Sequence, residues 1–417
     1  MDFTVAYTDA TSGLNASTFD GSDVTVIGPN GYSANASFVS VNTGGNGSPR
    51  TVTYRIPAPG GMWNLADNGT YTVSQNANQV KDVAGNSRAA GTIGTFNASI
   101  PFAWQSGAVL TVEYDNSGTP ISLGTSGANI TATKGATILN FSGITSIVVS
   151  GSSAADALNF NGPISAPVAL NLGAGADVLN VNSGMFTFSA DASAGTSSLT
   201  INDSGAVLFN TTQHLAAMNL TGGKASIAPG HDKVIVLDTI TASGDGALDL
   251  MDNDLIANAT TPANFAALLD SGYMAGAWNG VGIISSLAAA NDATLGYGQA
   301  STVFPALPAT LDGQSINTGT PMIARWTVQG DSNLDNVVNT TDFMMLAQNF
   351  SASGSDFSRG DFNYDGLTNA LDFNALATRF GATASAAPGP GVAIPVASLF
   401  SGRFIDTSLI ETQELLR

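Results

Sequence analysis

The composition of this chain is that of an extracellular β protein. Of its 417 residues only 10% are charged and 47 are glycine, which is unlike a typical cytosolic enzyme. The net charge of −19 argues against nucleic-acid binding, because no basic patch is available to replace the counterions of phosphate groups. Cysteine is absent, which excludes disulfides, thiolate metal sites and cysteine catalysis.

The first 98 residues predict a β-sandwich. Short runs alternate between apolar and polar residues, and turns rich in Gly, Pro and Asn separate them. The runs cover residues 3–7, 23–27, 36–41, 51–56, 69–74 and 94–98. Because Met1 and Asp2 pass directly into the first run, we expect a truncated start, with any export signal lost or supplied upstream.

A tyrosine-corner motif lies within this stretch. Asp67, Gly69 and Tyr71 have the spacing at which a tyrosine hydroxyl bonds back to the backbone, and Trp63 is expected to pack nearby. Together with the Asp-Val-Ala-Gly-Asn sequence of residues 82–86, the motif resembles bacterial Ig-like repeats of secreted and adhesive proteins. The resemblance implies an Ig-like domain that lacks its first strand and therefore has an open sheet edge.

Residues 105–255 predict a β-solenoid or, as the alternative, a second sandwich. Very short apolar runs recur at short intervals, as in the rungs of a parallel solenoid, but the repeat is irregular. Residues 172–180 nearly match the calcium-binding nonapeptide, although Leu172 replaces its first glycine and no adjacent copy follows. We interpret this run as a Gly-rich turn between rungs. Residues 256–325 then predict a connector unit with a helix at residues 264–270.

Two twelve-residue loops, at 331–342 and 361–372, carry the strongest pattern in the chain. Asp or Asn stands at positions 1, 3, 5, 9 and 12 of each loop, and an apolar residue stands at position 7, which in EF-hand loops binds calcium through its carbonyl. Position 6 requires a positive φ and is Asn336 or Gly366. A short amphipathic helix is predicted after each loop, with the apolar residues Phe343, Leu346 and Phe350 or Phe373, Leu376 and Phe380.

The tandem duplication, Asp instead of Glu at position 12 and the apolar-Asp-Phe opening of each helix resemble type I dockerins over about residues 328–383. The resemblance implies two calcium ions (Ca2+), whose binding supplies the folding energy of the 326–384 module, and a cohesin-like partner protein. The implied ligands are Asp331, Asn333, Asp335, the Val337 carbonyl, Asn339 and Asp342, then Asp361, Asn363, Asp365, the Leu367 carbonyl, Asn369 and Asp372. The connector resembles the stretch that precedes dockerins in modular proteins of planctomycete-like bacteria.

Dockerins contact cohesins through loop positions 10 and 11 and the following helix. The resemblance therefore assigns partner binding to Thr340 and Thr341 in the first repeat and to Ala370 and Leu371 in the second. Because these pairs are chemically unequal, binding in two symmetric orientations is not expected.

Residues 385–417 predict a linker and a C-terminal tail. The longest apolar stretch of the chain, residues 391–400, is shorter than the ~18 residues of a membrane span, so we expect no membrane insertion. The strand-like segment 392–404 suggests an alternative function, in which the tail completes the open edge of the next molecule and the protein self-assembles into a fibre.

Catalysis is not expected. A pectate-lyase-like polysaccharide lyase needs Lys or Arg to neutralise the carboxylate of its substrate and to act as a base. No arginine lies between residues 88 and 325, and the lysines of that interval are not bracketed by acidic clusters. A glycoside hydrolase needs two opposed carboxylates, whereas Glu113 stands alone and Asp249, Asp252 and Asp254 crowd one turn. The two histidines belong to no Ser/His/Asp pattern. The enzyme alternative is a calcium-dependent polysaccharide lyase or hydrolase on the solenoid.

The sequence thus predicts a mainly β protein with an Ig-like sandwich, a solenoid-like middle and a small α-helical dockerin-like module. The predicted function is non-catalytic attachment in adhesion or assembly at the cell surface or outside the cell.

Overall fold

The computed structural model describes residues 1–191 and 196–384, and the chain divides into two compact units. The first unit comprises Met1–Trp104 with Glu113–Asp115, and the second comprises Gln105–Val112 and the chain from Asn116 onward. The predicted linker and tail, residues 385–417, lie outside the described residues, and so does the strand-donating segment of the fibre alternative. Over the part of the chain that is described, no helix combines the length and hydropathy of a membrane span.

Two antiparallel sheets form the first unit. One has the strand order β1 (Asp2–Tyr7), β5 (Arg50–Arg55) and β4 (Ser37–Val41), and the other has the order β3 (Ser33–Asn35), β2 (Val24–Ile27), β6 (Gly69–Gln75) and β7 (Gly91–Ala98). Alternate residues, such as Val24 and Val26 in β2 or Val52 and Tyr54 in β5, are buried in a core that both sheets share. The sandwich is confirmed, and its kinship with Ig-like domains stays a prediction.

The tyrosine corner is confirmed as well. Tyr71 donates its hydroxyl to the backbone carbonyl of Asp67 at 3.0 Å, and its side chain is fully buried. The ring of Trp63 packs edge-on against Tyr71, with 5.8 Å between the centroids. The Asp67 carboxylate in turn accepts the backbone N–H of Asn64 at 2.9 Å, so the turn that leads into β6 is held at both ends.

The middle of the second unit is a parallel β-solenoid, and the alternative of a second sandwich is wrong. Strands one coil apart pair in parallel register, so that Leu158, Leu179, Leu199, Met218 and Ile240 lie above one another. All five side chains point inward and are buried. One coil takes 19 to 22 residues in these pairings, because two or three short apolar runs belong to a single coil.

An antiparallel meander of β10, β11 and β12 precedes the parallel coils. The strands from the border between the units to the end of the coils are β8 (Ala103–Ser106), β9 (Val109–Glu113), β10 (Ile121–Ser126), β11 (Asn129–Lys134), β12 (Thr137–Phe141), β13 (Ser146–Ser150), β14 (Ala157–Asn161), β15 (Val168–Asn171), β16 (Val178–Phe188), β17 (Ser198–Phe209), β18 (Gln213–Thr221), β19 (Lys224–Ile227), β20 (Val234–Ser243), β21 (Ala247–Asp249) and β22 (Asp254–Ala257).

The nonapeptide-like run is a turn between two coils. Gly173 has a φ of 80°, and a Cβ there would lie 2.2 Å from the backbone oxygen of Ser152 in the preceding coil. The Asp177 side chain is buried and accepts the backbone N–H of Asp156 at 2.9 Å. The run is therefore the Gly-rich turn between coils that the sequence predicted. The hydrogen bond of Asp177 to the preceding coil was not predicted.

Residues 256–327 close the end of the solenoid. They form α1 (Pro262–Tyr273), β23 (Gly282–Ile284), β24 (Thr294–Gln299), α2 (Ala300–Val303), the hairpin of β25 (Ala309–Leu311) and β26 (Gln314–Ile316), and β27 (Met322–Thr327). The predicted helix at 264–270 lies inside α1. Strand β27 pairs antiparallel with β22 and with β24, so the parallel stack ends in an antiparallel layer. Helices α3 (Thr340–Gln348) and α4 (Ala370–Thr378) follow.

Candidate metal centre

The carboxylates at positions 1 and 12 organise the first loop. Asp331 and Asp342 are fully buried. Asp331 accepts the backbone N–H of Asp335 at 3.1 Å, and Asp342 accepts those of Asn333 at 3.2 Å and Asn339 at 2.8 Å. The two side chains therefore hold the backbone of the loop at three of its positions.

The second loop repeats this arrangement. Asp361 accepts the backbone N–H of Asp365 at 3.2 Å, and Asp372 accepts those of Asn363 at 3.3 Å and Asn369 at 2.9 Å. Each distance agrees within 0.1 Å with its counterpart in the first loop. Two loops of the same sequence pattern thus have the same local structure.

The predicted ligands occupy three environments. The carboxylates at positions 1 and 12 are buried, the Asn side chains at positions 3 and 9 are half-buried, and the Asp side chains at position 5 are exposed. The exposed side chains at position 7 are Val337 and Leu367, whose carbonyls are the predicted ligands.

Position 6 has the backbone conformation that the sequence predicted, with φ of 69° at Asn336 and 79° at Gly366. Position 4 is also left-handed, with φ of 56° at Leu334 and 63° at Tyr364. Sequence reasoning did not find this second feature, because neither leucine nor tyrosine favours positive φ. Two left-handed residues per loop turn the chain tightly between the ligands.

The loops also start the helices. Asn339 accepts the backbone N–H of Thr341 at 2.7 Å, and Asn369 accepts that of Leu371 at 2.7 Å. Because Asp342 and Asp372 bond back to the same cap residues, each loop ends in a capping box. Positions 9 and 12 therefore serve both as predicted metal ligands and as the start of α3 or α4.

Burial raises the pKa values of the predicted ligands at positions 1 and 12. It raises the pKa of Asp331 to about 7, against the effect of the hydrogen bond from the Thr327 hydroxyl, and it raises the pKa of Asp361 to about 7 as well. Burial also raises the pKa values of Asp342 and Asp372. Neighbouring carboxylates add to the shift at both first ligands, and a divalent cation would neutralise this converging negative charge.

The donor set fits a hard cation such as calcium, because each loop offers only carboxylate, amide and carbonyl oxygens. In the first loop, buried Ser332 Oγ and Asn336 Oδ1 also lack hydrogen-bond partners. As they stand, no three His, Cys, Asp or Glu side chains among residues 1–191 and 196–384 are arranged to hold a metal ion. The amide of Asn333 donates to Asp335 at 2.8 Å, and binding an ion would replace this contact and its counterpart in the second loop.

The two repeats are interleaved. Val337 of the first loop pairs with Thr383, which follows α4, and Leu367 of the second loop pairs with Ser353, which follows α3. Backbone hydrogen bonds of 2.8 to 3.4 Å flank both pairs. Each loop is therefore held by the chain that follows the other helix, and the repeats fold together.

The apolar stripes predicted for the two helices are wrong in part. Only Leu346 and Leu376 are buried. The phenylalanines of both stripes are 41 to 55% exposed, namely Phe343, Phe350, Phe373 and Phe380. The physical reason is that each helix makes its close approach at the leucine, against the glycine that precedes the opposite loop. A Cβ at Gly360 would lie only 3.0 Å from Leu346 Cα, and one at Gly330 only 3.1 Å from Leu376 Cα. Phe343 and Phe373 instead pack edge-on against each other, with 6.2 Å between the ring centroids.

The predicted partner-binding residues lie in the first turns of these helices. Thr340, Thr341, Ala370 and Leu371 are all exposed, and Leu371 is exposed by 64%. Two hydroxyl side chains on α3 thus correspond to one small and one large apolar side chain on α4. The chemical inequality predicted from the sequence is present at the surface.

The carboxylates and histidine considered for catalysis have structural contacts. Asp249 is buried and accepts two backbone N–H groups at 3.0 Å each, and buried Asp254 accepts that of Trp326 at 3.1 Å. His214 lies 2.5 Å from Asp191 and 2.9 Å from the side-chain oxygen of Gln314. No sequence signal pointed to this histidine contact, because Gln314 is 100 residues away in the chain.

Residues 329–381 match the family model described as the dockerin type I domain. Searches of curated proteins and of solved structures found no match. The predicted dockerin-like module is therefore confirmed over these residues. Domains of this family bind calcium and attach to cohesin partners.

Proposed function

We propose that this chain is a non-catalytic modular protein of the cell surface or extracellular space, which attaches to a cohesin-like protein through a calcium-folded dockerin module. One observation carries the proposal. The family match at residues 329–381 coincides with two loops whose carboxylate geometry is equal within 0.1 Å. A chance acidic loop would not recur with the same hydrogen bonds 30 residues later.

Calcium is proposed to set the geometry of the attachment surface. The ligands at positions 9 and 12 are also the capping boxes of α3 and α4, so ions bound in the loops would fix where each helix begins. The exposed side chains Thr341 and Leu371 stand two residues after the two cap residues. Loss of calcium would therefore disorder the helix starts on which partner contacts depend.

The partner is proposed to bind in one preferred orientation. A rotation that exchanges α3 and α4 would place Leu371, which is 64% exposed, where Thr341 had been. An apolar pocket on the partner that accepts Leu371 would leave a threonine hydroxyl without a partner in the exchanged orientation, which costs about 1–3 kcal/mol.

Calorimetric titration of the full chain with calcium tests the proposal. We expect two ions to bind, one to be lost in Asp331→Ala or Asp361→Ala, and both to be lost in the double variant. The double variant should also lose binding to an immobilised type I cohesin. Asp245→Ala is the matched control, since this aspartate is exposed and lies outside the loops. Two ions bound by the double variant would show that the loops are not the calcium sites.

The solenoid is proposed to act as a spacer without catalytic activity. Incubation of the full chain with acidic polysaccharides in calcium should therefore release no reducing ends and no unsaturated products above a heat-denatured control. Product formation that depends on the concentration of the folded chain would instead support the polysaccharide lyase or hydrolase alternative.

A further inference from the structure

The dockerin module is packed against the end of the solenoid through its second loop. Tyr364, at position 4 of that loop, donates its hydroxyl to the backbone carbonyl of Leu295 in β24. Its ring stacks on Tyr273 with 4.4 Å between centroids and on Tyr297 with 5.7 Å. Trp278 packs edge-on against it at 5.5 Å. Tyr364 thus stands between two predicted ligands in the sequence, and its ring packs into an aromatic cluster of Tyr273, Trp278 and Tyr297.

Strand β24 is shaped for this contact. It carries glycine at two places where side chains of the module come close to its backbone. A Cβ at Gly296 would lie 2.4 Å from Leu334 and 2.7 Å from Phe357, and one at Gly298 would lie 2.5 Å from Ser358. Because side chains at these positions would hold the module away, the glycines permit an interface as close as a protein interior.

The first loop also packs its position-4 side chain against strand β24. Leu334, at position 4, is only 1% exposed and packs towards Gly296. Its carbonyl accepts Arg325 Nη1 of β27 at 2.7 Å. At the end of α4, Arg379 pairs with Asp292 through both terminal guanidinium nitrogens, one of them at 2.6 Å. Apolar and charged contacts therefore join both repeats to residues 256–327.

We infer that the calcium loops and the end of the solenoid unfold as one cooperative unit. In this unit, Tyr364 couples calcium binding in the second loop to the stability of residues 256–327, which close the solenoid end. The inference rests on the proposed calcium binding. Position 4 lies between the ligands at positions 3 and 5, so an ion that fixes both of them also fixes the left-handed backbone that directs Tyr364 into the aromatic cluster.

The coupling must work in both directions. If calcium holds Tyr364 in the cluster, the cluster holds the loop in its binding conformation and strengthens calcium binding by the same factor. The module also covers the last layer of a solenoid, which needs a cap at its end. The dockerin module therefore completes the cap that residues 256–327 form and is also the attachment site, and calcium stabilises both.

The test compares calcium titrations of the full chain with Tyr364→Ala, Tyr364→Phe and Phe350→Ala. We expect Tyr364→Ala to weaken binding at one of the two sites about tenfold, within the usual range for coupled sites. Tyr364→Phe removes only the hydrogen bond from the hydroxyl to the Leu295 carbonyl and should weaken calcium binding at that site about threefold or more. This variant keeps the test decisive if the alanine variant does not fold. Phe350→Ala is the control, because this phenylalanine is half exposed and lies outside the aromatic cluster.

Hydrogen exchange of the wild-type chain supplies the reciprocal measurement. Removing calcium should speed exchange of the amides in β24 about tenfold, while the amides of β14, far along the solenoid, should not change. If both Tyr364 variants bound calcium at two sites with unchanged affinity, or if β24 exchange did not depend on calcium, the coupling would be overturned and the proposed function would stand. A wild-type chain that binds no calcium would overturn the proposed function and the coupling together.

Discussion

Adding one methyl group at Gly296 should loosen the dockerin module from the solenoid. In Gly296→Ala the new Cβ would stand 2.4 Å from Leu334, 2.7 Å from Phe357 and 2.8 Å from Thr327, where ordinary contacts begin at 3.4 Å. Strand β24 cannot retreat from this overlap, because all six of its residues pair with β27. The three neighbouring side chains must therefore move.

The expected cost follows from two opposing effects. Overpacking of a close-packed interior costs about 1–3 kcal/mol. Replacing glycine by alanine stabilises by about 0.4–1 kcal/mol through the unfolded chain, and this gain applies because the φ of Gly296 lies outside the left-handed region. A net destabilisation of about 1–2 kcal/mol should lower the melting temperature of the second unit by roughly 2–8 °C.

Differential scanning calorimetry of the full chain in calcium measures this shift. Gly94→Ala is the matched control, because Gly94 also lies in a strand and its Cβ would meet nothing within 4 Å. The control should leave the first unit unchanged or raise its melting temperature slightly. If Gly296→Ala were as stable as the wild type, the close approach of the module to β24 would be refuted.

Three further predictions concern single side chains. Leu346→Ala should destabilise the dockerin module by about 2–5 kcal/mol in urea unfolding, whereas Phe343→Ala, at a 41% exposed site, should cost under about 1 kcal/mol; equal losses would contradict the observed burial. Tyr71→Phe leaves a backbone carbonyl without its donor and should cost the first unit about 1–2 kcal/mol, so an unchanged unfolding midpoint would speak against the corner. Burial is the largest single effect and lowers the pKa of His214, but the hydrogen bonds to Asp191 and Gln314 and the charge of Asp191 together raise that pKa above its ordinary value. Protonated His214 then stabilises the folded state, and this stabilisation is complete below about pH 6.5 and is lost as the pH rises through the folded pKa. NMR titration of the ring would measure that pKa, and a value at or below about 6.5 would contradict the prediction.

The sequence determined the features that depend on neighbours in the chain. Calcium-loop chemistry needs ligands at fixed positions within twelve residues, and the same Asp and Asn side chains bond to backbone groups two to ten residues away. The positive φ at Asn336 and Gly366 and the hydroxyl bond of Tyr71 are equally local. These interactions form wherever the surrounding chain has the right spacing, so they could be derived from the spacing alone.

Tertiary structure decided which apolar side chains are buried. The pattern after each loop predicted burial of Phe343, yet it is 41% exposed, whereas Tyr364 stands in a polar loop and fills an aromatic cluster. The length of a solenoid coil escaped the sequence reasoning for the same reason, since one coil contains several equivalent apolar runs. Tyr364 meets its hydrogen-bond partner 69 residues away, and the close approach at Gly296 likewise joins distant segments. Such contacts depend on how the solenoid end and the loops pack together, and no local spacing encodes that packing.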